Sequence, residues 1–489
     1  MRVTGGEDLL AGEAGPGSSG ALPGDARRIH PLLPIFRLGD GAGAILYTPG
    51  HAVRLSRERA DALEAAFAGR STAEGGGTAR LAERLLGLAA AAAARYRALA
   101  ERPFEPECLT LYLGNECNLR CAYCYSTDRT GEARARALPV LGRPAAASRG
   151  ARWTVLEPRV VAAAAAFVAR ACAAKRMRMT VVVHGGGEPT VHWTRLREVV
   201  GLTRTAAARH GVGWWGYIAT NGVFGSAKAR WLGQEFDLRG LSCDGPPDIQ
   251  DRQRPGARRP TSAAVEETSR AWRAMGAAFT VRATITPGSV RRQPEICAYA
   301  AGRLGAREVV FEPVYRPGSA RQEIFRPEDA EEFAAYFLAA ERTAQTLGCR
   351  LTISGVRLDE IHGPYCNVLR DVLQVTPDGV GTACFLCTGE GEGEQALAIG
   401  RMEPGGRFAL DAERIGELRR AAARIPGRCQ SCVNVLHCAR ECPDVCPALG
   451  RDADEGAPGG FRCRVQRLLG EAWIRRAAGT ADPRVALAE

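Results

Sequence analysis

Between residues 106 and about 320 the chain alternates short apolar runs with helical or loop stretches, six times over. The runs are Leu109–Leu113, Met179–Val183, Trp215–Ala219, Leu238–Cys243, Thr280–Ile285 and Glu308–Val314. This α/β order predicts a parallel sheet, open or curved into a partial barrel, with helices packed on its outer face. Pro158–Ala174 reads as the first of those helices, with proline in the first turn where its missing N–H costs nothing. In such sheets chemistry sits at the C-terminal strand ends. Each polar motif below falls at one.

The flanks read differently. Residues 1–28, rich in Gly, Pro, Ala and Ser, predict a flexible tail. Residues 29–105 predict a small α+β region, with strands Leu33–Leu38, Ala44–Tyr47 and Ala52–Leu55. Helices near 57–68 and 79–101 follow, parted by the linker Gly69–Gly77. The core occupies 106–325, and 326–363, with a helix around Pro327–Leu347, reads as a bridge. From 364 to 470 come hairpin segments, Asp371–Val375 and Gly379–Phe385 about Thr376-Pro377-Asp378-Gly379, and then a cysteine-dense stretch. Residues 471–489 read as a C-terminal tail.

Composition narrows the partners. Net charge is +11, but no Lys/Arg run interleaves with aromatics, so a diffusely basic surface is expected and nucleic acid is not. The start, MRVTGGEDLLAG, carries acids where an export signal needs a basic segment, and Leu85–Ala94 is too short to span a membrane. The expectation is a cytoplasmic protein whose 17 cysteines are mostly thiols, the clustered ones serving a metal or cluster.

Gly114–Tyr125 reads GNECNLRCAYCY, placing Cys117, Cys121 and Cys124 within eight residues after a strand. Three thiolates can hold a [4Fe–4S] cubane with one iron open to an external ligand. Spacing alone also admits three legs of a zinc site or reactive thiols. With Tyr123 before the last cysteine, the segment resembles the signature of the radical S-adenosylmethionine (SAM) superfamily. That resemblance implies a partial (β/α)6 TIM-like barrel, a SAM-binding [4Fe–4S] cluster, and a 5′-deoxyadenosyl radical that abstracts hydrogen from substrate. It also implies cofactor contacts at four strand ends. His184-Gly185-Gly186-Gly187-Glu188-Pro189 resembles the family's GGEP motif, whose backbone and Glu hold the methionine amino group. Asn221 would bond the ribose hydroxyls, and Ser242 and Arg282 are candidates for the SAM carboxylate and ribose.

In the C-terminal region, Cys366 is followed by Gly379-x4-Cys384, and then by Cys429-x2-Cys432-x5-Cys438-x3-Cys442, Cys446 and Cys463. Paired C-x2-C units also suit a zinc ribbon. The whole order resembles the SPASM extension of peptide-modifying radical SAM enzymes, which implies two auxiliary [4Fe–4S] clusters. By the family's threading one takes Cys366, Cys384 and Cys442, with Cys387 the natural fourth ligand or an iron left open. The other takes Cys429, Cys432, Cys438 and Cys463, with Cys446 surplus or a replacement for Cys463. Cys108, Cys172, Cys243, Cys297 and Cys349 lie on apolar segments and read as small core residues.

LSCDGPPDIQDRQRP, Leu241–Pro255, resembles a segment shared by SPASM peptide maturases and sulfatase-maturating enzymes. A turn capped by Asp244 explains it locally, and Asp251, Arg252 and Arg254 are expected near the barrel mouth. FEPVYR, Phe311–Arg316, closes the sixth strand in the same style. Sulfatase maturases are expected to carry Asp after the G-x4-C cysteine, where this chain has Phe385. The resemblance therefore implies another modification of a ribosomally made precursor peptide: a thioether, a carbon–carbon cross-link or an epimerisation. Residues 29–105 would be a peptide-recognition module of winged-helix kind, and a flavodoxin- or ferredoxin-type protein the electron donor. The other readings are a small-molecule dehydrogenase and a structural zinc protein that binds nucleic acid.

Overall fold

The computed structural model describes residues 2–3, 26–41, 43–70, 76–124, 154–256, 259–314, 324–389, 392–446 and 459–479. Most of the two expected tails, most of the linker Gly69–Gly77 and the end of FEPVYR lie outside the described residues. Strands β1 (Arg2–Val3), β2 (Arg27–Arg28), β3 (Phe36–Asp40), β4 (Gly43–Thr48) and β5 (His51–Ser56) form one sheet, ordered β1-β5-β4-β3-β2. Because strand side chains alternate between faces, this sheet buries both. Ala44, Leu46, Val53 and Leu55 pack under the helices Arg57–Phe67 and Gly76–Glu101, whereas Phe36, Leu38, Ile45, Tyr47 and Ala52 join the main core. The first of these helices starts where Ser56 accepts a hydrogen bond from Arg59 N.

The main sheet holds the six expected parallel strands in chain order: β6 (Cys108–Leu111), β7 (Met179–Val183), β8 (Trp214–Thr220), β9 (Leu238–Ser242), β10 (Phe279–Ile285) and β11 (Glu308–Pro313). In β7, Met179, Val181 and Val183 are buried while Thr180 and Val182 are only partly so. The buried face meets an alanine-rich helix, Pro158–Lys175, whose small side chains allow close approach; it ends where Arg176 turns left-handed, at φ 56°.

Both edges of this sheet depart from expectation. The segment 326–363 is not only a bridging helix, because after the helix Ala330–Thr346 it supplies β12 (Arg350–Ile353), parallel to β11. Its four residues, RLTI, are too few to show an alternation. At the other edge β13 (Val372–Val375) pairs in parallel with β6. The expected hairpin continues into β14 (Val380–Thr382), and β15 (Ala398–Met402) and β16 (Phe408–Leu410) follow, all antiparallel. The cysteine-rich region is therefore built onto the barrel sheet. Residues 471–479, read as tail, belong to the helix Phe461–Gly479, which buries Leu469, Glu471 and Ile474. Among the described residues no helix is long and apolar enough to cross a membrane.

Candidate active site

β6 delivers the chain into the loop that carries Cys117, Cys121 and Cys124. Burial pushes the Cys117 thiol up to about 12 and raises Cys121 as well, and both feel the charge of Cys124. The Cys117 and Cys121 thiols therefore resist ionising unless a metal takes the proton's place. A second segment holds this loop in place. Ala122 N donates to Gln253 O at 3.0 Å and Arg120 N to Pro255 O at 3.2 Å. Asp244, fully buried, accepts from Tyr123 Oη (2.6 Å), Gln253 Nε2 (2.8 Å) and Thr284 N (2.9 Å), and pairs with Arg254 at 3.0 Å. The Arg254 guanidinium also lies over the Tyr123 ring, 5.3 Å from its centroid.

The segment Leu241–Pro255 thus acts as a brace for the cysteine loop. Of its three residues expected at the barrel mouth, Arg254 stands against Tyr123 and Asp251 caps the helix Thr261–Ala274, accepting from Ser262 N at 2.8 Å. For Arg252 the structure shows a place in the last turn of the short helix Pro247–Gln253. Tyr123, a candidate cofactor contact, directs its hydroxyl to Asp244.

The glycine triplet lies against the same loop. Gly187 N donates to Gly114 O at 2.8 Å and Glu188 N to Glu116 O at 2.9 Å. A Cβ on Gly187 would stand 1.8 Å from Glu116 O, and one on Gly186 2.7 Å from Gly114 O. Glycine is required here by chain meeting chain. Glu188, 3% exposed, is already bonded: Oε1 accepts from Thr190 N, Thr190 Oγ1 and Thr220 Oγ1, and Oε2 from Asn221 N at 2.8 Å. Only Oε2 keeps room for a further donor such as an amine. Burial raises the Glu188 carboxyl, and those hydrogen bonds oppose the rise. Asn221 in turn donates to Asn118 Oδ1 at 2.7 Å and points the same Nδ2 at Cys117 Sγ, 3.9 Å away. Four strand ends are thereby tied to one loop.

Ser242 and Arg282 are register partners on β9 and β10. Both are partly exposed, and the half-buried Arg282 side chain bonds Tyr217 and reaches to 3.8 Å from Glu312. Glu312, 7% exposed, pairs at 3.0 Å with Arg462, which also pairs with Asp444 at 3.0 Å. A line of charge thus runs from the barrel interior to the cysteine-rich region. Tyr217, Glu312 and Arg462 were not singled out from the sequence. The available signal was a polar residue at every second position of an otherwise apolar strand, as in Arg282 and Thr284 of FTVRATI. His184 stacks on Tyr112, centroids 6.0 Å apart, and burial holds its pKa down to about 4.

The C-terminal thiols gather in two groups. Burial raises Cys438 well above the ordinary range, and Cys432, Cys463 and Cys429 add to it; Cys463, up to about 12, feels Cys432 and Cys429. Burial likewise raises Cys366, with Cys442, Cys446 and Cys384 adding to it. Cys446 acts on Cys442 as well. Cys387 follows Cys384 in a turn closed by its own N–H to Cys384 O at 3.1 Å. Among the described residues no three Cys, His, Asp or Glu side chains stand close enough to hold a single metal ion. The donor sets that the sequence groups are all thiols, the chemistry a cubane takes. Cys172, Cys243, Cys297 and Cys349 are buried core residues, while Cys108 is half-buried.

No protein-family description matches the chain, and no curated protein matches it in sequence. Solved structures do match in fold. Native anSMEcpe with bound AdoMet is 16% identical at a TM-score of 0.56, over 76% of this chain and 98% of that one. The same protein with AdoMet and the Kp18Cys peptide gives 16% and 0.55, over 76% and 98%. The chain shares the α/β partial-barrel fold of anSMEcpe. Streptococcus suis SuiB bound to precursor peptide SuiA is a more distant match, 13% identical over 71% of this chain and 80% of that one, with a TM-score of 0.40.

Proposed function

We propose that the chain is a radical SAM/SPASM enzyme that cleaves SAM reductively and abstracts hydrogen from a ribosomally made peptide. The observation that carries this is the convergence of four strand ends on the Cys117–Cys124 loop, through the glycine triplet with Glu188, Asn221, Asp244 and Thr284. Cys117, Cys121 and Cys124 would hold the SAM-binding [4Fe–4S] cluster. Cys366, Cys384 and Cys442 would hold part of one auxiliary cluster, and Cys429, Cys432, Cys438 and Cys463 the other. When bound, the first cluster supplies the electron that splits SAM into methionine and a hydrogen-abstracting 5′-deoxyadenosyl radical.

The protein's own part is to position and to exclude water. Glu188 Oε2 and the Gly185–Gly187 backbone would receive the amino group, with Asn221, Ser242 and Arg282 as the remaining polar contacts. A peptide substrate is supported by the fold shared with anSMEcpe, solved with peptides bound, and by the cysteine-rich region at the mouth. Phe385 in place of Asp speaks against formylglycine formation and for a cross-link, thioether or epimerisation. The N-terminal sheet, where among the described residues six-residue β5 pairs on its outer side with two-residue β1, would dock a leader segment as an added strand. A flavodoxin or ferredoxin would supply electrons.

The test is anaerobic reconstitution with dithionite and SAM. Release of 5′-deoxyadenosine by the wild type and its loss in Cys117→Ala, Cys121→Ala and Cys124→Ala is the expected result. Persistent release from those variants, or zinc without iron in the purified protein, would refute the assignment.

A further inference from the structure

We propose that Gln466 donates a side-chain N–H hydrogen bond to the Cys438 sulfur when Cys429, Cys432, Cys438 and Cys463 hold their auxiliary cluster, and that this bond raises the cluster's reduction potential. This deepens the auxiliary-cluster reading above and rests on it.

The helix Phe461–Gly479 brings Gln466 to the centre. Residues three apart on a helix share a face, so Gln466 stands on the same side as Cys463. Gln466 is 2% exposed, and its Oε1 accepts from Cys438 Sγ at 2.5 Å. Its main-chain oxygen accepts from Asn434 Nδ2 at 2.7 Å. One turn further on, Gly470 leaves room for Asn434, because a Cβ there would stand 2.1 Å from Asn434 Oδ1. The amide has a wall behind it as well. Gly355, at φ 131°, lies so close that a Cβ on it would stand 2.6 Å from Gln466 Nε2. Gly355 O accepts from Ala439 N at 2.7 Å, and Val356 bridges Cys438. The amide is therefore held between the Gly355 backbone and the Cys438 sulfur, which are themselves tied together.

A thiol can donate to Oε1, and a thiolate cannot. On ligation the Cys438 proton leaves to solvent and the sulfur lone pair goes to iron. The amide oxygen would then face an anionic sulfur with no proton between them. The other arm of the amide carries two N–H donors, and a half-turn about its last torsion brings Nε2 to the sulfur without moving the helix. Cys438 Sγ already accepts from Arg440 N at 3.2 Å, so the amide adds a second donor. Donors to a cluster sulfur favour the reduced, more negative state, which is how hydrogen bonds to the sulfurs set a potential. Gln466 is thus a positioning residue that acts through Cys438.

The experiment compares full-length wild type, Gln466→Leu and Gln466→Glu, reconstituted without oxygen, for iron and sulfide per chain and by potentiometric titration of the clusters. Gln466→Leu keeps the bulk and removes the donor. It should hold about twelve irons, three cubanes of four, with one cluster titrating at lower potential and the others unmoved. Gln466→Glu sets a carboxylate against the thiolate and should lose about four irons. Both variants at wild-type iron with every potential unmoved, as side-chain packing alone would give, overturns the inference, as does a raised potential in Gln466→Leu. Should the variants fail to fold, wild type carrying the heavy nitrogen isotope in its glutamine side chains should show nitrogen hyperfine coupling to a reduced cluster, and no coupling overturns the inference. Wild type at about four irons instead sinks the auxiliary-cluster reading, and this inference with it.

Discussion

Asp244→Asn is the sharpest test of how the cysteine loop is held. Asp244 is fully buried and meets four donors at 2.6–3.0 Å, one of them a guanidinium whose side chain is 10% exposed. Asparagine keeps the shape and one acceptor but turns an NH2 toward Tyr123 Oη and Gln253 Nε2, and leaves Arg254 charged and unpaired. Removing one partner of a buried pair costs about 3–5 kcal/mol, because the other charge stays buried. The lost charge-assisted bonds are part of that cost. Removing the second charge as well should recover most of it, so Asp244→Asn with Arg254→Gln should be more stable than Asp244→Asn alone. The assay is denaturant unfolding of the cluster-free chain, with hydrogen exchange across residues 117–124 to localise the loss. A single-variant cost under about 1 kcal/mol, or costs that add in the double variant, would refute the brace.

Other consequences are more local. Gly187→Ala, whose Cβ would stand 1.8 Å from Glu116 O, should lower iron retention by the first cluster while sparing the C-terminal ones, read by iron content and spectra. Arg440 is 4% exposed, its side chain bonds, among the described residues, the carbonyls of Ala422, Ala423 and Arg424 and the Tyr96 hydroxyl, and it acts on both Cys366 and Cys429. Arg440→Met should leave the cluster-free protein equally or more stable, since a buried unpaired charge is costly, and lower both auxiliary reduction potentials in a potentiometric titration. Arg27 and Arg37 hold the Glu64 carboxyl below its usual 4.5. That stabilisation is present above the unfolded value and fades as pH falls through the lowered folded one. Melting midpoints of wild type should therefore drop faster below about pH 4.5 than those of Glu64→Gln.

What the sequence disclosed tracks how local each feature is. Met179–Val183 was legible to the residue because a β-branched run ends at the glycine triplet, and Pro158 marked its helix by fixing the first turn. Leu241–Pro255 showed a turn at Asp244, but the partners that make Asp244 a brace arrive from Tyr123 and Thr284, roughly 120 and 40 positions away. No period or spacing encodes that meeting. Only the fold says that the glycine triplet meets the backbone of Glu116 and Gly114. Spacing grouped the C-terminal cysteines as far as pairs and gaps can.

The docking of the cysteine-rich region follows from the same limit and has a consequence for chemistry. β13 pairs with β6 from Val372↔Cys108 to Val375↔Leu111, and Tyr112 N continues the ladder to Val375 O at 3.0 Å. Tyr112 Oη and Asn115 Nδ2 then bond the loop that carries Cys384 and Cys387. The strand that delivers Cys117 and the hairpin that delivers Cys384 are therefore neighbours in one ladder. A one-residue slip between them would turn every side chain of β13 to the wrong face. The separation of the Cys117 loop from the Cys384 loop is set by hydrogen-bond register and not by a linker. On the proposed reading, an enzyme that generates a radical at one site and passes an electron to another would need such a fixed separation, which the sheet would supply.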